Sequence, residues 1–499
     1  MSIRYDISLG LRLLRAMPIV LFYLGLIFFV FVLLPASAKK MPLESLVVIG
    51  FVGAARYLWL ITHCTRAAIY EHYVYPRLRF AIRQMDQAEK FPQRVFFLIP
   101  TWREKPEVSR QMLTSVLDEV GRVPCNATIL VNAGSEEEDD LFRKVVQEHR
   151  EGNKVRMIFV RQQGGKRQGM ADSLNALMDY DIEDDDCIVL MDGDTVLGQG
   201  ILEKCLPLFQ LRPKLGAVTT DNISVTEGNA LYRKWYTLRF SMRHRMMKSQ
   251  SLSNQLLVLT GRFSVFRAKY CMDDEFIAYL ENDRMNHWLQ GEIKFVTGDD
   301  KSTWFCLLKR GCQMLYVPDA HIYCMEDSSK RPLSQSIKKM HRWFGNMLRN
   351  NPRAIGLGMG SQASFIWWCS IDQRISMFTS VLGPLGACWA AIWLSPYYLI
   401  VNAMLVVLVR LIYSLILVME GHRLSMWDIP LLLFTQWVGA IIKIYTSFHL
   451  HHQKWDDHRT DAHAAKQSEP FLNTLIPKMQ ILFSFTLMLL FVAMVIGTK

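Results

Sequence analysis

The chain has 499 residues, 51% of them hydrophobic, and carries 57 Lys plus Arg against 46 Asp plus Glu, a formal charge of +11. That length excludes a disulfide-stapled mini-domain and leaves room for several domains. The basic excess is not gathered into one stripe with interleaved aromatics, which argues against nucleic acid as a partner, and ten cysteines without a CxxC spacing point to a reducing compartment.

An uncharged apolar run at 17–35 is long enough to cross a hydrocarbon core of about 30 Å. It follows a basic leader (Arg4, Arg12, Arg15), so it reads as a retained anchor with its N-terminus in the cytoplasm. A second apolar run, 46–61, is interrupted by Arg56 and completes an N-terminal transmembrane hairpin over 1–64. From 65 to 334 the character changes. Runs such as VFFLIP, ATILVN, VRMIFV and CIVLMD alternate with VSRQMLTSVLDEV and GMADSLNALMDY, the pattern of a parallel βαβ sheet. Residues 335–375 read as interfacial helices, the stretch 335–350 being amphipathic and basic. The region 376–499 returns to membrane character. Spans at 376–394 and 397–419 meet at Ser395-Pro396, and another lies at 479–496, while 429–448 is apolar but carries Gln436 and Lys443. The lipid bilayer is therefore an expected partner.

The stretch CIVLMDGDTVLG ends a buried strand on Asp192 and Asp194. Two neighbouring carboxylates repel each other and lose hydration, so something positive should share the site. A divalent cation with oxygen ligands does so, and Mg²⁺ takes one or two carboxylates plus phosphate oxygens. Taken alone, an Asp-X-Asp is more readily an acidic turn capping a helix, by roughly two to one.

Its company is more specific. IPTWREKPE, LVNAGSEEED and GGKRQGMADSLNAL stand upstream, TGDDKSTWFCLLKRG and KMHRWFGN downstream. In this order the set resembles the processive family-2 glycosyltransferases, the cellulose, chitin and hyaluronan synthases and their relatives, over essentially the whole chain. The resemblance implies a GT-A, Rossmann-like α/β domain flanked by transmembrane and interfacial helices, with Mg²⁺ or Mn²⁺ as cofactor. It implies that Thr101, Glu104, Asn132 and Lys166 contact the nucleotide, that Asp192 lies near the ribose and that Asp194 holds the metal. Asp300 matches the general base, supported by Asp299. Arg342 and Trp343 match the RW of QxxRW, on the diphosphate and acceptor sugar respectively, and Lys339 stands in place of the glutamine. KIYTSFHLHHQKWDDHR resembles a cytoplasmic gating loop over 449–470, with Trp455 and Arg459 reaching the site, which makes 429–448 an interfacial helix. Asn132 and Ala133 replace an aspartate pair that helps hold uracil in relatives, which suits a donor other than a UDP-sugar.

Within the family, QQGGKRQGMADSLNAL, MDGDTVLG and KMHRWFGNMLRNNPRAIGLGMGS are most similar to bacterial inner-membrane polymerases of a uronic acid. That similarity implies GDP-mannuronate as donor and β-1,4-linked polymannuronate as the growing, exported product. It also implies partnership with other envelope proteins of a synthesis and export complex and admits a cyclic-di-GMP receptor. A UDP-sugar synthase of the cellulose type and a non-catalytic export subunit remain the alternatives.

Overall fold

The computed structural model describes residues 8–39, 50–87, 89–102, 104–161, 164–328, 330–453 and 471–497. The long helices α1 (Leu9–Leu33) and α2 (Gly50–Ile69) lead in, with shorter helices at Ala36–Lys39 and Tyr75–Gln84, and a βα alternation follows. Its elements are β1 (Arg94–Pro100), α3 (Pro106–Val120), β2 (Asn126–Ala133), α4 (Glu136–Glu148), β3 (Val155–Arg161), α5 (Lys166–Leu177) and β4 (Cys187–Met191). Local chemistry sets the boundaries. Proline at the first position of α3 lacks an N–H that would be unsatisfied there anyway. The Ser135 hydroxyl caps α4 by accepting from the Glu138 N–H, and four acids in the first turn face the positive end of the helix dipole.

The chain continues through β5 (Thr195–Leu197), β6 (Leu215–Glu227), the long helix α6 (Ala230–Ser251), β7 (Phe263–Arg267), a hairpin of β8 (Arg284–His287) and β9 (Gly291–Lys294), α7 (Asp299–Lys309) and β10 (Gln313–Asp327). Eight strands form one sheet in the order β3-β2-β1-β4-β7-β6-β10-β5. The first four run parallel, as their apolar runs predict, but β7 lies antiparallel between β4 and β6, and β5 is antiparallel to β10. The expected parallel sheet is thus corrected to a mixed one. Every residue of β4 and β7 is buried, the mark of strands covered on both faces.

The remaining helices are α8 (Pro332–Gly356), α9 (Ser364–Trp393), α10 (Tyr397–Met419), α11 (Asp428–Phe448) and α12 (Phe471–Gly497). Among the described residues, α1, α9, α10, α11 and the stretch Leu475–Met494 are long and apolar enough to cross a membrane, which fits a multi-pass membrane protein. The helix α2 is not among them, and its polar groups are spent on neighbours. Arg56 pairs with Asp372 of α9, His63 Nδ1 lies 2.8 Å from Ser249 Oγ of α6, and Arg66 donates to Ser253 Oγ at 2.6 Å.

Both ends of α11 touch the sheet domain. At its start Asp428 is fully buried and lies 3.3 Å from Lys234 Nζ of α6. At its end Gln290, in the β8–β9 turn, donates to the Phe448 carbonyl at 2.8 Å, and Gln453 bridges Lys294 and Val296. One hydrophobic cluster runs from Val95 and Phe97 of the sheet through Trp235 of α6 and Phe344 of α8 to Leu417 of α10 and Leu431 of α11.

Candidate active site

The site forms where β4 ends and β7 begins. The two strands pair in antiparallel register, Met191 opposite Phe263, so the next residue of one, Asp192, abuts the preceding residue of the other, and the Asp192 N–H donates to the Arg262 carbonyl at 3.1 Å. Each aspartate of the pair meets its own cation. Asp192 lies 2.6 Å from Lys166 Nζ, and Arg262 donates to both oxygens of Asp194 at 3.0 and 2.9 Å. The positive charge that the DGD turn requires is thus present on the protein itself.

Lys166 opens α5 immediately after Gly165, whose φ of +83° lets the chain turn into the helix. Its ammonium also reaches Asp299 Oδ2 at 2.7 Å. Burial alone would lower the Lys166 pKa, but Asp192 and Asp299 outweigh it and raise it. Asp299 is lowered in turn, because the contact with Lys166 overrides burial. Asp192 is raised by burial against the pull of Lys166, with Asp194 adding repulsion.

Asp299 and Asp300 stand in the first turn of α7, which starts on Gly298 at a φ of +90°. A Cβ there would sit 2.8 Å from Asn346, so glycine satisfies both the left-handed backbone and the close approach. Asp300 is only half-buried and makes no ion pair among the described residues. Burial and the neighbouring Asp299 push its carboxyl up to about 6, against Lys301 and Lys166. A carboxylate titrating there is suited to take a proton near neutral pH. Burial, Asp194 and Asp192 likewise push Glu104 up to about 7, which places Glu104 at the same negative corner.

Two residues expected at the nucleotide sit deeper. Thr101 is 2% exposed and lies under the DGD turn, where a Cβ on Gly193 would come 2.7 Å from its methyl; its hydroxyl donates to Glu138 at 3.3 Å. Asn132 ends β2 fully buried, and its amide oxygen and nitrogen have no hydrogen-bond partner. It is packed so closely under α5 that a Cβ on Gly169 would fall 2.1 Å from its side-chain oxygen.

On the other side, Arg262 also reaches Glu326 at 3.1 Å, and the second oxygen of Glu326 takes Lys339 of α8. The result is an alternating row, Asp194, Arg262, Glu326, Lys339. The positive charge expected of Lys339 is therefore balanced within the protein. One turn on, Trp343 stacks on Trp235 and Tyr236 of α6, with ring centres 6.1 and 5.9 Å apart. Arg342 lies beside it, close enough to Lys339 and Tyr232 to act on both electrostatically. Trp455 and Arg459 lie outside the described residues.

The sequence reading missed Gly261, Arg262, Glu326 and Arg349. A Cβ on Gly261 would meet Lys166 Nζ and Asp299 Oδ2 at 3.3 Å and Asp300 Cβ at 3.6 Å, so this backbone lies against both carboxylates. Gly261→Ala is expected to lower turnover at least about tenfold by displacing Lys166 and Asp299 by a few tenths of an ångström. Thermal melting together with initial rates checks this; an unchanged rate would mean that the three groups need no such exact placement.

The paired aspartates, their two cations and the neighbouring Asp299 and Asp300 thus gather at one corner of the sheet, and the family is shown by comparison. The model described as "Glycosyltransferase like family 2" matches residues 92–346, and the chain belongs to that family, a glycosyltransferase with a GT-A domain. Two curated relatives share most of its length, both named Glycosyltransferase alg8. The one from Pseudomonas syringae pv. tomato is 37% identical and the one from Azotobacter vinelandii 34%, each over 438 residues covering 87% of this chain and 89% of the relative. Among solved structures, the mannosyltransferase PcManGT from Pyrobaculum calidifontis, in complex with GDP-Man and Mn²⁺, is 16% identical with a TM-score of 0.38, covering 74% of this chain and 99% of that one.

Proposed function

We propose that this protein is an alginate polymerase, a processive mannuronan synthase of the bacterial inner membrane that transfers mannuronate from GDP-mannuronate to a growing β-1,4-linked chain and passes the product outward. The observation that carries this reading is the corner where Asp192 and Asp194 meet Lys166 and Arg262 beside Asp299 and Asp300. The full-length similarity to two proteins named Glycosyltransferase alg8 supports the choice within the family.

Among the described residues no group of three or more His, Cys, Asp or Glu side chains could hold a metal alone. The donor set still fits Mg²⁺ or Mn²⁺, since such ions bind through one or two carboxylates with phosphate and water oxygens filling the rest. Asp194, with Asp192 beside it, would hold the ion. When bound, the ion neutralises charge on the departing diphosphate. Asp300 accepts the proton of the acceptor hydroxyl as that oxygen attacks the anomeric carbon and the bond to the diphosphate breaks, which inverts the configuration. Lys166 and Arg342 supply further positive charge to the diphosphate. Trp343 offers its ring face to the acceptor sugar.

A helix whose two ends rest on one domain cannot carry the chain across a bilayer. On this reading α11 lies along the cytoplasmic face.

The test is donor turnover by the full chain in nanodiscs with Mn²⁺. GDP release from GDP-mannuronate with formation of alginate-lyase-sensitive polymer is expected. Polymer formation from a UDP-sugar alone would overturn the donor assignment, and no turnover of any donor would overturn the enzyme reading.

A further inference from the structure

Two cations sit just beyond Trp343. Arg239, one turn along α6 from Tyr236, places its guanidinium 5.5 Å from the centre of the Trp343 ring and 5.6 Å from that of Phe344. Lys443 of α11 places its ammonium 4.8 Å from the same Phe344 ring, and a Cβ added at Gly439 of that helix would come 3.6 Å from the ring. Among the described residues neither side chain has an ion pair, and Arg239 Nε has no hydrogen-bond partner at all. Asp372, the acid that acts on Lys443, is already paired with Arg56. Burial, with Arg243 adding repulsion, holds Arg239 down to about 10.

Two like charges removed from bulk water and set around one ring repel each other until an anion joins them. What precedes them is an aromatic platform whose open face is that of the partly exposed Trp343, backed by Trp235 and Tyr236, which are 1% and 2% exposed. A chain leaving that platform first meets Arg239 and Lys443. Arginine suits a carboxylate because its planar fork matches the two oxygens, while a neutral polysaccharide would leave both cations without a counterion.

We propose that Arg239 and Lys443 form a carboxylate-binding subsite for the growing polysaccharide, placed immediately beyond the acceptor end at Trp343, that selects a polyuronate over a neutral chain. The proposal rests on reading the product as a polyuronate, and it adds the residues that recognise the acid group.

The full chain in nanodiscs is titrated with oligomannuronate and with a neutral β-1,4-mannan oligosaccharide of equal length, following tryptophan fluorescence. The acidic oligosaccharide is expected to bind at least about tenfold tighter. Arg239→Gln with Lys443→Met brings the two affinities together, whereas Arg239→Lys with Lys443→Arg keeps most of the preference and shows that the fold tolerates substitution there. Mn²⁺–GDP affinity, measured in the same samples, stays unchanged. Equal binding of the two oligosaccharides by the unaltered protein, or a preference that survives the neutralising pair, overturns the proposal. A preserved preference in a protein that turns over only a UDP-sugar would instead overturn the donor assignment and leave this subsite standing.

Discussion

Asp300→Asn should abolish polymer formation, lowering turnover by about 10³-fold, within the range for loss of a positioned general base. The loss should be confined to chemistry, because Asp192, Asp194, Lys166 and Arg262 hold one another without Asp300. Mn²⁺–GDP binding is therefore expected to stay within about twofold of the unaltered protein. The pH profile supplies an independent reading. With the Asp300 carboxyl pushed up to about 6 by burial and Asp299, kcat/KM of the unaltered enzyme should fall as the pH drops through that value, because the protonated acid cannot accept the acceptor's proton. The residual rate of the variant should lack that acidic limb. Stability should move the other way. The folded chain binds this proton more tightly than the unfolded chain, so ionising Asp300 costs stability that builds from the unfolded value of 3.8 to about 6 and persists above it. An asparagine is free of that cost, and its Tm at pH 7.5 should be equal or higher. Near-normal polymer yield from this variant would remove Asp300 from the mechanism.

Arg349→Met should reduce kcat by about 100-fold while leaving donor affinity nearly intact, the size of effect that a small misplacement of reacting groups produces. Arg349 is 2% exposed and joins segments far apart in the sequence. Its guanidinium donates to the Leu450 carbonyl at 3.0 Å, to Thr297 Oγ1 at 3.2 Å and to Asn346 Oδ1 at 2.6 Å. Thr297 begins the TGDD turn that carries Asp300, Asn346 lies on the helix that carries Arg342 and Trp343, and Leu450 follows the end of α11. Arg349 thus ties Thr297, Asn346 and Leu450 to one another, and the expected loss of rate is that of a positioning residue. Burial, with Arg167 adding repulsion, holds it down to about 9, below the usual arginine value. Arg349→Lys, which reaches fewer acceptors, should recover part of the rate. A rise in the KM for donor with kcat unchanged would contradict this role, as would equal activity of the Met and Lys variants.

The first four strands were legible in the sequence because each is a short, mainly apolar run bounded by polar turns, and the aspartate pair is visible where one of those runs stops. Asp299, Asp300, Arg342 and Trp343 could be placed through family resemblance, not through periodicity. Gly261 and Arg262 escaped because the working rule looks for ligands after the carboxyl ends of parallel strands, whereas these two stand before the amino end of β7. That strand runs backwards through the sheet and delivers its beginning to the same edge. Glu326 and Arg349 escaped for another reason. Each is isolated in its own stretch of chain and gains meaning only from partners 64 and 52 positions away. The helix α11 has the length and composition of a span, and no pattern in the sequence points to its contacts with Lys234 and Gln290 at opposite ends.

The cluster that runs unbroken from Val95 to Leu431 has a practical outcome for biogenesis. A catalytic half cut away from the helices after Gly356 would expose the surfaces on which Leu417 and Leu431 now pack, and would be sticky rather than soluble. The sheet side of that interior is completed only when α10 and α11 are in place, so folding of the sheet and placement of those two helices proceed together.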